Sequence, residues 1–220
     1  STDFKNLDNI LTDFVKPFDL SKAPLFRAKL VNFDNDKSAL VIDTHHTICD
    51  GTSITVFVDE LCKLYNGVTL KELDITYKDF ANYEHNQVVS GALEDAENYW
   101  LDKFKGEIPV LNMPTVYQRP ATQSFEGKKV YSEINSDTVL KINSAARELH
   151  ITPYMLMLGA FYVLLSKYTS QNDIVVGSPV VGRDVASTYN LIGMFINTLA
   201  LREKIDNSLS FKSFVLSLKD

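Results

Sequence analysis

Cysteine, tryptophan and glycine are scarce here, and no apolar run is long. With two cysteines, Cys49 and Cys62, in 220 residues, a disulfide framework is excluded, and unpaired thiols suit a reducing compartment. The longest apolar stretch, Tyr154 to Leu165, is shorter than a bilayer requires and fits a buried core helix. The chain opens on polar, acidic residues without the apolar segment of a secretory leader. The expected location is therefore cytoplasmic, with no membrane contact. A stripe of clustered Lys and Arg is also missing. The net charge is -6, with basic residues interleaved among Asp and Glu, so nothing matches the phosphates of a nucleic acid. There is no internal repeat and no low-complexity tract.

What is present is an ordinary globular mixture, 45% apolar, long enough for a real core. Leu7, Ile10, Leu11 and Phe14 recur at helical spacing, and Pro17 stops that helix. Phe26, Ala28 and Leu30 alternate with polar residues, and Ala39 to Thr44 is strongly apolar, so the two stretches predict a hairpin turning at Asp34 to Ser38. Asp50-Gly51 opens a helix that ends at Asn66-Gly67, and further helices are expected from Tyr77 towards Val89 and from Leu93 to Phe104. Residues 106-127 carry prolines and no period, the pattern of a long loop. Beyond it the sequence predicts a strand at Lys129 to Ile134 and a helix capped by Ser136. A helix begun by Thr152-Pro153 is expected to be buried on nearly every side to Leu165. Strands near Asp173 to Ser178 and Gly193 to Glu203, and a last helix from Ser210, follow. Strands and helices are mixed throughout, so the class is mixed α/β (or α+β).

The run His45-His46-Thr47-Ile48-Cys49-Asp50-Gly51 is the segment with chemistry in it. Alternation carried to the strand end would place His46 on the face of Thr44 and Ile42, with His45 opposite. Two histidines on opposite faces do not share a metal, and His85 and His150 stand at no ligand spacing from them, so no metal site is expected. A histidine at a strand mouth beside a helix start is placed for proton transfer near neutral pH. Asp50 could accept from an Arg and brace the loop, and Gly51 removes a side chain where a substrate or another backbone passes. Cys49 is read as a neutral packing residue rather than a nucleophile.

The segment does not stand alone. THHTICDGTS (Thr44 to Ser53), YKDFA (Tyr77 to Ala81), DIVVGSPVVGR (Asp173 to Arg183), IGMFINTLALR (Ile192 to Arg202) and the opening FVKPFDLSKAPLFRAKL (Phe14 to Leu30) follow one another in an order and spacing that resembles the condensation domains of nonribosomal peptide synthetases. HHxxxDG by itself is shared with chloramphenicol acetyltransferases and other acyltransferases. The resemblance implies two chloramphenicol acetyltransferase-like lobes in a V, both incomplete, divided as 1-90 and 91-220. The family's two earliest motifs are expected before Ser1 and its two late ones after Asp220, so the chain alone could lack activity.

The activity implied is peptide-bond formation between a donor acyl or peptidyl thioester and an acceptor aminoacyl thioester. Both would sit on 4'-phosphopantetheine arms of carrier proteins, beside an adenylation domain, with no cofactor bound directly. His46 is the implied catalytic residue. His45, Asp50 and Gly51 support it, Asp50 pairs with Arg183, and Asn197 and Ser178 are candidates for binding substrate in a tunnel between the lobes, Asn197 on the downstream lobe. The aspartate pattern of the heterocyclising branch is absent. Two other readings compete: a free-standing acyltransferase acting on a small alcohol or amine, and a catalytically inactive docking module.

Overall fold

The computed structural model describes residues 7–33 and 37–219. Its elements are a mixture of helices and strands. Helix α1 (Leu7–Phe14) is followed by β1 (Phe26–Asn32) and β2 (Ser38–Thr44), then α2 (Gly51–Tyr65), α3 (Tyr77–Val89) and α4 (Glu94–Lys103). After a long irregular stretch come α5 (Ser136–Glu148), α6 (Pro153–Thr169), β3 (Asp173–Val180), β4 (Asn197–Lys204) and α7 (Phe211–Ser217). The class is mixed α/β. No single helix among the described residues is long and apolar enough to cross a membrane. Only α5 and α6 taken together would be, and they are bent by 104°.

The chain divides into two compact units, residues 1–94 with 179–198, and residues 95–178 with 199–220. A single cut at residue 90 would leave 179–198 in the second unit. Instead that return segment brings Arg183 and Asn197, expected on the downstream lobe, into the unit that holds His46.

In the first unit β1 and β2 form an antiparallel hairpin in the register Phe26↔Thr44 to Asn32↔Ser38. The expected turn falls largely on residues 34–36, outside the described residues. Val31, Phe33 and Val41 are buried at the far end of the hairpin against Leu7, Ile10, Leu11 and Phe14 of α1, the apolar stripe that the helical spacing announces. A second cluster, Phe80, Leu191 and Phe195 with Ile75, joins α3 to the return segment.

In the second unit the core is Tyr162, Leu165, Ile174, Ile205, Phe214 and Val215, drawn from α6, α7, β3 and the residue after β4. Thr152 caps α6, accepting from Met155 N, with Pro153 in the first turn, where a missing N–H costs nothing. The helix is not buried all round. Tyr154, Met157, Phe161, Leu164 and Tyr168 are exposed, so uniform apolarity gave the wrong burial and only one face meets the core. Two further expectations fail here. The cap of α5 is Asn135, whose side chain accepts from Thr138 N, and Ser136 is the first helical residue. Residues 129–134 form no strand, because no described segment comes alongside to accept their backbone hydrogen bonds. Likewise β4 starts at Asn197, four residues later than expected, since 193–195 give their backbone groups to Asp50 and its neighbours.

Candidate active site

The site is built on the hand-over from β2 to α2. The strand ends at Thr44 and the chain turns at once: Ile48 N donates to His45 O at 3.1 Å and Cys49 N to His46 O at 3.5 Å. The hairpin pairing nevertheless carries one residue past the strand, His45 N donating to Leu25 O at 3.0 Å, and gives way to the turn at His46. Ile42 and Thr44 do share a face, lining an apolar hollow of about 290 Å³ with Phe26, Ile48, Phe57 and Ile192, and His46 does not line that hollow.

The two histidines have different surroundings. His45 is half-buried, and its Nδ1 accepts from Thr47 N at 3.2 Å and lies 2.9 Å from Thr47 Oγ1. An Nδ1 that accepts leaves the proton of the neutral ring on Nε2. The ring meets Phe18 edge-on at 6.0 Å, and the Arg27 guanidinium lies over that same Phe18 at 3.7 Å. Arg27 in turn faces its cross-strand partner Asp43 at 3.0 Å, an ion-pair distance without hydrogen-bond alignment. His45 is thus part of the wall. His46 is exposed, and its ring has no partner among the described residues.

Beneath the turn lies a buried polar knot. Asp50 is 3% exposed, Arg183 2% and Ser53 0%. Asp50 caps α2: its Oδ1 accepts from Ser53 N and Ser53 Oγ, both at 2.7 Å, and its Oδ2 from Phe195 N at 3.1 Å. Arg183 Nη2 adds a contact at 3.2 Å to Oδ1 and another at 2.9 Å to Ser53 Oγ. Arg183 Nη1 donates to the Thr188 and Leu191 carbonyls, and the guanidinium rests on the Phe195 ring at 3.9 Å. The Asp50 N–H and the Ser53 hydroxyl both reach Gly193 O, and Gly193 N donates to Ser53 Oγ. Burial pushes the Asp50 carboxyl up, but the Ser53 and Phe195 hydrogen bonds and the Arg183 charge outweigh it, so it lies below the ordinary value. Burial, helped by the Asp50 charge, pushes the Cys49 thiol up, the opposite of what a nucleophile needs.

Two glycines make the knot possible. Gly182 is left-handed (φ 64°), and a Cβ there would lie 2.0 Å from Phe195 O. A Cβ on Gly193 would lie 2.1 Å from Tyr77 Cδ2. Gly51 differs from both: a Cβ there meets nothing within 4 Å, so no described backbone passes it closely. Among the described residues no group of three His, Cys, Asp or Glu is arranged to hold a metal ion.

A family model of the Condensation domain matches residues 3–220. The chain belongs to the condensation-domain family. Among curated relatives, this condensation domain is 43% identical over 210 residues to bacitracin synthase 1 of Bacillus licheniformis, covering 96% of the chain and 4% of that protein. Surfactin synthase subunit 1 of Bacillus subtilis (strain 168) is 42% identical over 206 residues, 94% of the chain and 6% of the relative. Among solved structures, a four-domain nonribosomal peptide synthetase bound to AMP and glycine matches at a TM-score of 0.84 and 26% identity, over 98% of this chain and 17% of that one. The X-domain from teicoplanin biosynthesis matches in fold at a TM-score of 0.88 and 20% identity, over 99% of this chain and 51% of that one. The condensation domain here thus spans a small fraction of its curated relatives.

Of the residues singled out from sequence, His45, His46, Asp50, Gly51 and Arg183 come together around one turn of the first unit. Asn197 is in that unit too, exposed, with its Oδ1 accepting from its neighbour Thr198 N at 2.7 Å. Ser178 is not: it belongs to the second unit, buried and hydrogen-bonded to Tyr154 Oη. Sequence reasoning missed Ser53, which has the third position of a capped helix as its only signal, and it missed the backbone of 193–195 altogether.

Proposed function

We propose that this condensation domain carries the condensing centre of nonribosomal peptide synthesis. It joins a donor acyl or peptidyl thioester to the amine of an acceptor aminoacyl thioester, both presented on the 4'-phosphopantetheine arms of carrier proteins in a synthetase that also holds an adenylation domain. The observation that carries this is the contrast at the β2–α2 turn. His45 and Asp50 are tied into the wall, while the His46 ring is exposed and without a partner among the described residues, on a turn fixed from below.

In the reaction the acceptor nitrogen attacks the donor carbonyl, the C–N bond forms, and the carbon–sulfur bond breaks to release the donor thiol. The amine loses a proton and the departing sulfur gains one. His46 takes that proton or holds the amine for attack, and an imidazole is suited to either near neutral pH. The Asp50–Arg183 pair acts only through the turn, because it is out of reach of solvent. Gly51 leaves open space at the start of α2 for substrate, and Asn197 and Ser178 are further candidates for substrate contact.

The test is intact-mass spectrometry of two loaded carrier proteins. They are incubated with the chain, with a form extended to the length of a whole condensation domain, and with the extended form carrying His46→Ala. Transfer of the donor acyl group to the acceptor amine by the extended form, lost in His46→Ala, is expected. Undiminished transfer by His46→Ala would remove His46 from the chemistry. No transfer by any form, with transfer to small alcohols or amines instead, would favour the free-standing acyltransferase.

A further inference from the structure

We infer that Tyr77 is a positioning residue for the His46 turn, acting through the backbone of Gly193–Phe195; this rests on the reading of His46 given above. Asp50 does not hold the turn unaided. Its N–H donates to Gly193 O at 3.2 Å and its carboxylate accepts from Phe195 N at 3.1 Å. Whatever fixes residues 193–195 therefore fixes the start of α2, and with it the carbonyl of His46 that Cys49 N reaches.

Tyr77 meets that segment in three ways. Its hydroxyl donates to Met194 O at 2.9 Å. Its ring occupies the space where a side chain at position 193 would stand, 2.1 Å from an ideal Cβ. Its edge meets the Phe195 ring at 86° and 5.2 Å, with the Arg183 guanidinium on that ring as well. Tyr77 is itself held by position. It is the first residue of α3, whose Thr76–Asp79 capping box is complete and whose Phe80 packs on Phe195 at 4.7 Å. The linkage runs from the α3 cap to Tyr77, to Gly193–Phe195, to Asp50, and so to the turn that presents His46. It also gives the YKDFA and IGMF segments a joint task that neither shows alone.

A residue that merely filled space would change stability and leave the His46 environment in the folded protein as it was. The full chain, labelled with ¹³C-histidine, is therefore compared as wild type, Tyr77→Phe, Tyr77→Ala and Tyr83→Ala, the last an exposed tyrosine on the same helix. The four histidines are assigned by single His→Gln variants. The His46 ring signal is expected to shift or broaden in Tyr77→Ala and to a lesser degree in Tyr77→Phe, and to stay put in Tyr83→Ala.

In the form extended to a whole condensation domain, kcat per folded protein is expected to fall between about 10- and 100-fold in Tyr77→Ala with KM little changed, the penalty of a misplaced group. An unmoved His46 signal in both Tyr77 variants overturns the inference. So does an unchanged kcat in folded Tyr77→Ala when His46→Ala is inactive. If Tyr77→Ala fails to fold, Tyr77→Phe decides alone, since it removes only the hydroxyl. If His46→Ala retains full activity, the functional reading falls, and the ring signal still decides whether Tyr77 positions the turn.

Discussion

Asp50 and Arg183 are almost wholly withdrawn from water, and ions are withdrawn at a cost of several kcal/mol each unless well paired. Here the carboxylate receives donors from Ser53, Phe195 and Arg183, and the guanidinium gives its own to Thr188 and Leu191. Removing one partner strands the other. Asp50→Ala should cost about 3–5 kcal/mol of stability, read by chemical denaturation; a wild-type midpoint with lost turnover would instead place Asp50 in the chemistry. Acid should act through the same group. The folded Asp50 carboxyl lies below its ordinary value, so its contribution is complete above the unfolded value of about 4 and is lost as pH falls through the folded one. The melting temperature should therefore drop below pH ~4 more steeply in wild type than in Asp50→Asn; parallel acid profiles would contradict the lowered value. The thiols give a third measurement. Cys49 is buried, with its acidity suppressed, and Cys62 is exposed. Iodoacetamide at neutral pH should add one group per folded chain, at Cys62, and prior modification of Cys49 would revive it as a nucleophile.

At the scale of elements, the return segment 179–198 can reach the knot only because Gly182 turns left-handed against Phe195 O. Gly182→Ala should destabilise by at least about 1–2 kcal/mol from backbone conformation alone, before the close approach is counted. A denaturation midpoint equal to wild type would show that the segment can dock without that turn. What was legible in sequence divides along the same line. α2 could be placed to the residue because Asp50-Gly51 and Asn66-Gly67 punctuate it locally, and α3 runs over the expected Tyr77–Val89. The hairpin showed in its period of two. Neither the single-sided burial of α6 nor the unpaired 129–134 could be seen, because both depend on what lies alongside. The site divides likewise: its motif residues could be named, whereas the docking of 193–195 under Asp50 is tertiary.

At the scale of the whole molecule, the accessible surface is 17301 Å². A compact monomer of this length would expose about 10,000 Å², and two separate halves together about 12,000 Å², so thousands of square ångströms are uncovered however the two units sit. The excess is apolar in places that matter. Val116, Tyr117, Phe125, Val130 and Tyr131 along the irregular stretch are each at least 85% exposed, and side chains of that kind left in water favour association. The expectation is that the chain alone binds a hydrophobic dye and gains apparent mass with concentration in sedimentation. Structural neighbours such as the teicoplanin X-domain are about twice as long as the match, the chain covering 51% of that one. Extension to such a length should therefore reduce both signals and bring the 129–134 backbone under protection from hydrogen exchange, since a pairing strand is what that segment lacks. A chain that stays monomeric and dye-silent by itself would mean that 105–135 folds back over its own apolar side chains, and the extended form would then gain no protection there.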